Sequence, residues 1–115
     1  MNWFSRLPTE LQKRAYVHGD EAAWSRDDAL EVIRVLSTLG NVVLGVEVWL
    51  RTGGAPRIPS PYIYQWDSAH LNGGDHRQSA VDINTAALSY VEGFQWDSRD
   101  VGVLTQEPYF NLTVS

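Results

Sequence analysis

The chain has 115 residues and a formal net charge of −5, from 14 acidic and 9 basic side chains. This length fits a single domain spanning residues 1–115, and a hydrophobic fraction of 43% is typical of a packed core rather than of disorder. The excess negative charge repels phosphate groups, which argues against nucleic acids and anionic membranes as partners. The chain has no cysteine, which excludes disulfides and thiolate metal sites.

The first residues show no secretory signal, because no basic stretch is followed by an apolar one. The longest apolar stretch, from Val42 to Leu50, is interrupted by Gly45 and Glu47 and is far too short to span a bilayer. We therefore expect a soluble cytoplasmic protein that is a monomer or a homodimer. No motif calls for a cofactor.

The spacing of apolar residues predicts an α+β fold, in which helices pack on a small, mostly antiparallel β-sheet in the order α-α-β-β-α-β. The first element, from Leu7 to Asp20, has the pattern of a short helix. Pro8 lies near its first turn and Gly19 just past its end. This assignment places His18 in the last turn, where a cation suits the helix dipole.

The clearest helix prediction covers the residues from Ser25 to Asn41. Ser25 and Asp28 have the spacing of a capping box, with Asp in place of the usual Glu, and Gly40-Asn41 is a typical helix end. Apolar residues recur at helical spacing and predict the face that packs on the core: Ala29, Val32, Ile33, Leu36 and Leu39.

Two strands are predicted after this helix. From Val42 to Arg51 the residues alternate with period two, so that one face is apolar and the other is mixed. The second strand, from Tyr62 to Trp66, puts Tyr62, Tyr64 and Trp66 on one face. Pro59 and Pro61 come just before this strand. Because proline has no backbone N–H to donate, we expect the prolines to lie at a sheet edge or at the start of the strand.

A third helix and a last strand complete the predicted fold. Ser79 and Asp82 repeat the capping spacing, and Gly93 ends the helix. Its apolar residues at helical spacing are Ile83, Ala86, Ala87, Tyr90, Val91 and Phe94. Near the C-terminus, apolar and polar residues alternate strictly, which predicts a half-buried strand: Phe110, Leu112 and Val114 against Asn111, Thr113 and Ser115.

The tetrapeptide Gln-Trp-Asp-Ser occurs twice, at residues 65–68 and 95–98. The first copy closes a predicted strand and the second follows a helix end, so the copies do not form a structural repeat. The carboxylates of Asp67 and Asp97 would support acid/base chemistry only if they flanked a substrate. The favoured interpretation is that each Trp packs in the core and each Asp-Ser forms a local turn bond to the backbone.

The loop after the first copy carries four groups of metal-ligand type, Asp67, His70, Asp75 and His76, within ten residues. Imidazole and carboxylate suffice for zinc, so a small metal-dependent hydrolase is one hypothesis. However, the spacing matches no recognised metal motif, and a solvated turn explains the same residues. No nucleophile motif or phosphate-binding loop is present either, and we predict no catalytic residue.

Three stretches resemble a known family: a helix ending in Leu-Ser-Thr-Leu-Gly-Asn, the strand Leu44-Gly45-Val46-Glu47-Val48, and Tyr64-Gln65-Trp66-Asp67. Over residues 28–92 the chain resembles immunity proteins of bacterial polymorphic-toxin systems, in particular the family called immunity protein 40. In that family a Leu-Gly-Gly-x-Val strand precedes an aromatic and acidic stretch. This chain differs in having Val46 at the second glycine and a long loop at 68–77.

This resemblance implies a small cytoplasmic protein of interbacterial competition that binds a cognate toxin domain and blocks its active site without catalysis. An acidic, aromatic-rich surface would steer towards a basic toxin. We predict the toxin contacts around both Gln-Trp-Asp-Ser copies: Glu47, Tyr62, Tyr64, Trp66, Asp67, Asp75, Asp97 and Asp100. A third hypothesis is a non-catalytic homodimeric adaptor that uses an exposed edge near Pro59 and Pro61.

Overall fold

The computed structural model describes residues 2–59, 64–69 and 80–115. A short 3₁₀ helix at Phe4–Arg6 comes first. The remaining elements, in chain order, are α1 (Thr9–Arg14), β1 (Tyr16–His18), β2 (Glu21–Trp24), α2 (Arg26–Thr38), β3 (Val43–Leu50), β4 (Gln65–Asp67), α3 (Ala80–Gly93) and β5 (Pro108–Val114). The strands form one sheet in the order β1-β2-β5-β3-β4, and every pair is antiparallel. The α+β prediction is therefore confirmed.

The predicted order of elements is wrong in one place, because the first predicted helix ends early. Helix α1 stops at Arg14, and the residues after it form the β1–β2 hairpin. Gly19 has a φ of +62° and begins the two-residue turn of this hairpin, where positive φ is required. His18 therefore pairs with Glu21 across the turn and does not cap a helix. A glycine that ends a helix and one that turns a hairpin look alike in sequence.

Helix α2 ends as predicted, at Gly40-Asn41. Gly40 has a φ of +82°, and the backbone N–H groups of Gly40 and Asn41 donate to the carbonyls of Ser37 and Leu36. These two bonds form a Schellman motif, which satisfies carbonyls that the helix itself leaves free. The predicted core face is confirmed at Ala29, Val32, Ile33 and Leu36, which are fully buried.

Strand β3 departs from a strict period of two near its start. The register against β5 shifts between Val43 and Gly45, so Val43 is buried while Leu44 is 40% exposed. Beyond this irregularity the alternation holds, and Val46 and Val48 point into the core. An irregular register changes which side chains face inwards, and only the pairing with β5 reveals it.

The core lies between the sheet and helices α2 and α3. The largest side chains in it are Trp24, Phe110, Ile33 and Leu36, all fully buried. The amide side chain of Asn84 in α3 is also buried: it accepts a hydrogen bond from the backbone N–H of Val43 and donates to the carbonyl of Asn41. Both bonds join α3 to the start of β3, so burial of this amide is compensated.

The helices of the described residues all pack on one side of the sheet. We call the opposite side the helix-free face; it carries alternate residues of each strand, among them Gly45, Glu47, Asn111 and Thr113. No helix in the described part of the chain is long and apolar enough to cross a membrane.

Candidate functional site

The helix-free face contains two neighbouring rows of side chains that run across the strands. In one row, the pairing places Glu47 between Gln65 of β4 and Asn111 of β5. In the next row, Gly45 lies between Asp67 and Thr113. Ala23 pairs with Asn111, so the antiparallel register brings Glu21, two residues earlier, beside Thr113.

Gly45 and Thr113 are small, and they leave an open depression of about 190 Å³ between the ends of their row. We call this depression the trough. It is lined by Glu21, Gly45, Val46, Glu47, Gln65, Trp66, Asp67, Asn111 and Thr113. Except for Val46 and Trp66, whose side chains pack on the core side, the lining belongs to the helix-free face.

Three carboxylates surround the trough. Glu21 and Asp67 are exposed and Glu47 is half-buried. Glu47 accepts a 2.8 Å hydrogen bond from the indole N–H of Trp49 through Oε1, and Asp67 accepts one from the backbone N–H of Ala69. No cation in the described residues forms a salt bridge with any of the three. Within the described residues, the carboxylates of the trough are therefore not neutralised by ion pairs.

The other half of the helix-free face is aromatic and covered. Tyr16 packs edge-on against Trp49 and Tyr109, at 6.1 Å between ring centroids in both cases. The guanidinium of Arg51 lies over both tyrosine rings, 5.4 Å and 5.6 Å from their centroids. The Tyr16 hydroxyl donates to the carbonyl of Gly54 in the turn after β3. Trp49, which packs against Tyr16, is 2% exposed.

A second cluster forms where β4 begins, on the helix side of the sheet. The rings of Tyr64, Phe94 and Trp96 pack edge-to-face with centroids 5.0–5.4 Å apart, and Phe94 also contacts Phe110. The indole N–H of Trp96 donates to the carbonyl of Gln106 at 2.9 Å. These contacts fix the segment after α3 against the core.

Two predicted carboxylates belong to this second cluster. The Tyr64 hydroxyl donates to Oδ2 of Asp100 at 2.9 Å and accepts from the backbone N–H of Asp97 at 3.3 Å. Burial and the Asp100 carboxylate raise the pKa of Tyr64. Two hydrogen bonds from the Arg99 guanidinium, at 2.9 Å and 2.7 Å, and one from its backbone N–H lower the pKa of Asp97 to about 2.

The structure divides the predicted toxin contacts between these two places. Glu47, Trp66 and Asp67 line the trough, whereas Tyr64, Asp97 and Asp100 meet in the second cluster. Asp100 is 8% exposed and bonded to Tyr64, so its carboxylate is not free to meet a partner. Asp67 and Asp97 thus lie on different surfaces and do not form the paired site considered from the sequence.

Several predicted residues lie outside the described part of the chain. These are the toxin contacts Tyr62 and Asp75 and the metal candidates His70 and His76. Within the described residues, no group of three or more His, Asp or Glu side chains is placed to hold a metal ion. The hydrolase built on Asp67, His70, Asp75 and His76 stays a prediction. So does the adaptor, because Pro61 is also outside this range, although Pro59 is buried.

Six residues that line the trough were not among the predicted toxin contacts: Glu21, Gly45, Val46, Gln65, Asn111 and Thr113. Glu21 lies between the first two predicted helices, and the sequence prediction does not include the β1–β2 hairpin that contains it. The alternation in β5 did predict a polar face with Asn111 and Thr113. Nothing local indicated that this face adjoins Gly45, since that neighbourhood depends on the register of β5 with β3.

Comparisons with known proteins give no further identification. No protein-family model, no curated protein and no solved structure matches this chain.

Proposed function

We propose that this chain is an inhibitor of the immunity type, which binds a basic toxin domain and neutralises it by covering the toxin's active site. The observation that carries this proposal is the trough. Its three carboxylates lie on a sheet face that no described helix covers, and none of the three forms a salt bridge with a described cation. The resemblance to immunity protein 40 names the class of partner.

The charge distribution suits such a role. Opposite charges on two proteins accelerate their encounter, and this steering weakens as salt screens it. A sheet also offers a broad, stiff surface, and inhibition by occlusion requires no reactive group of the inhibitor's own. Two other carboxylates among the predicted toxin contacts, Asp97 and Asp100, already have internal partners. Of the predicted contacts that the structure describes, the carboxylates of the trough are thus the ones best suited to a basic partner.

The proposal is tested by co-expression with a toxin domain encoded by the neighbouring upstream gene. We expect the two proteins to co-purify and the chain to restore growth of cells that make the toxin. Absence of both the complex and the rescue would contradict the function. Co-purification without rescue would contradict neutralisation by occlusion.

The role of the trough is tested by comparing two triple variants that remove the same charge. The face variant is Glu21→Gln, Glu47→Gln and Asp67→Asn. The helix-side control replaces exposed acids on the far side of the molecule: Asp27→Asn, Glu31→Gln and Glu92→Gln. We expect the face variant to slow association with the toxin about tenfold at low salt, and more than the control does. Equal association rates would place the interface elsewhere.

A further inference from the structure

The chain between α3 and β5 is a run of hydrogen-bonded turns. We call residues 97–106 the turn segment. Within it, the backbone N–H groups of Asp100, Val103 and Gln106 each donate to the carbonyl three residues earlier, at 2.9 Å, 3.1 Å and 2.8 Å. Such bonds hold the shape of the segment but do not fix it to the sheet. Its position on the molecule therefore depends on other contacts, among them the buried side chain of Val103.

The Tyr64 hydroxyl is one of these contacts, and it bonds to the turn segment both as a donor and as an acceptor. It donates its single proton to Oδ2 of Asp100 at 2.9 Å and accepts from the backbone N–H of Asp97 at 3.3 Å. Asp100 is buried, so water competes little for its bond. A hydrogen bond to a carboxylate is also stronger than one between neutral groups. Tyr64 thus holds the turn segment at two points.

Tyr64 also leads directly into β4, a three-residue strand at the edge of the sheet. Its carbonyl accepts a hydrogen bond from the backbone N–H of Val48 in β3 at 2.9 Å. Because antiparallel pairs alternate, the next hydrogen-bonded pair is Val46 with Trp66, whereas Glu47 turns its backbone groups towards β5. Within the described residues β4 pairs with β3 alone, so few ladder bonds hold it in place.

We propose that the turn segment and β4 open and close as one unit, joined by the Tyr64 hydroxyl, while the rest of the sheet stays paired. Short edge strands and turns open at a lower free energy than a core does. Since Gln65 and Asp67 of β4 line the trough, the turn segment sets the position of this wall of the trough from the helix side of the sheet. The coupling is a property of the chain alone, and only its consequence for partner binding rests on the proposed function.

Native-state hydrogen exchange of the ¹⁵N-labelled full chain tests the coupling without any partner. In urea concentrations below the unfolding transition, we expect the amides of Val46, Val48 and Val103 to exchange through one opening reaction, with one free energy and one weak dependence on urea. The amides of Glu47 and Leu36 should exchange more slowly and with a steeper dependence on urea. A single opening shared by all five amides, or different openings for Val48 and Val103, would overturn the proposal.

A substitution in the turn segment should also act on the pairing of β4. Asp100→Ala removes the acceptor of the Tyr64 hydroxyl, and we expect the amides of Val48 and Val103 to exchange about tenfold faster, both by the same factor. Asp100→Asn keeps an oxygen that accepts this bond and should restore most of the protection. Val101→Ala changes an exposed side chain of the same segment and should alter neither rate. Faster exchange at Val103 alone would overturn the coupling.

If Asp100→Ala fails to fold, Tyr64→Phe removes the same bond from the β4 side, with the same expected change at both amides. The two proposals fail separately. Coupled opening in a chain that binds no toxin would contradict the proposed function and leave the coupling standing. Toxin binding by a chain in which Val48 and Val103 open separately would do the reverse.

Discussion

In both copies of Gln-Trp-Asp-Ser, Oδ1 of the aspartate accepts a hydrogen bond from the backbone N–H two residues later. The donors are Ala69 at 2.6 Å in the first copy and Arg99 at 2.9 Å in the second. Both tryptophans are half-buried and pack on the same core. The local turn and the burial of Trp are thus common to the two copies, as the sequence interpretation predicted.

The copies differ in what surrounds the carboxylate. Asp67 is exposed on the helix-free face and lines the trough, without a cation partner in the described residues. Asp97 forms a bidentate pair with Arg99 and lies against the Tyr64 hydroxyl. The same four residues therefore give one carboxylate available to a partner and one that is paired. The reason is partly local, because Ala69 follows the first copy and Arg99 follows the second, and partly tertiary, because the Tyr64 hydroxyl lies against the second copy.

The largest expected loss of stability comes from removing a buried aromatic ring beside the second copy. Phe94→Ala removes a ring that is 6% exposed and contacts Tyr64, Tyr90, Trp96 and Phe110. We expect the free energy of unfolding to fall by about 3–5 kcal/mol, as for other buried Phe truncations. Urea denaturation measures it.

The control for this variant is Val101→Ala, since Val101 is 77% exposed in the same segment and should change stability by less than about 0.5 kcal/mol. Equal losses in the two variants would show that the aromatic cluster does not stabilise the second copy.

A smaller loss of stability is expected when the hydrogen bond between Tyr64, just before the first copy, and Asp100, just after the second copy, is removed. Tyr64→Phe keeps the ring but removes the hydroxyl that donates to the buried Asp100 carboxylate. We expect a loss of about 1–3 kcal/mol, because a buried acceptor loses a donor. The matched control is Tyr16→Phe, whose hydroxyl bonds to Gly54 at an exposed position and should matter less. A larger loss in the control would contradict this view.

The smallest expected effect is the dependence of stability on pH that the Asp97 carboxylate contributes. The Asp97 pKa of about 2 lies below the ordinary unfolded value near 3.9, so its stabilising contribution is complete above about pH 4 and is lost as the pH falls towards 2. In Asp97→Asn this contribution should be absent, so stability should fall less across that window than in the parent chain. Urea denaturation at several pH values measures the difference.

The comparison is completed at neutral pH. There Asp67→Asn should leave the free energy of unfolding within about 0.5 kcal/mol of the parent, since Asn keeps an oxygen for the Ala69 turn bond. Parallel pH curves for Asp97→Asn and the parent would contradict the role given to Arg99.

Prediction from the sequence succeeded where structure depends on nearby residues. The apolar faces of α2 and β5 follow from their periodicity, because a helix or strand repeats its geometry every few residues. The end of α2 at Gly40 follows for the same reason, since its bonds join residues within one turn. The hairpin at Gly19 was missed because a glycine with positive φ serves both a helix end and a two-residue turn.

The candidate site could not be predicted in this way. By itself, the sequence determined the α+β class, most helices and strands, and the turns of the two Gln-Trp-Asp-Ser copies. Only the tertiary structure decided that Glu21 stands beside Thr113, that Gly45 opens a trough between them and Asp67, and that Asp97 belongs elsewhere. Strand register sets these neighbourhoods, and it depends on long-range packing that no local pattern contains.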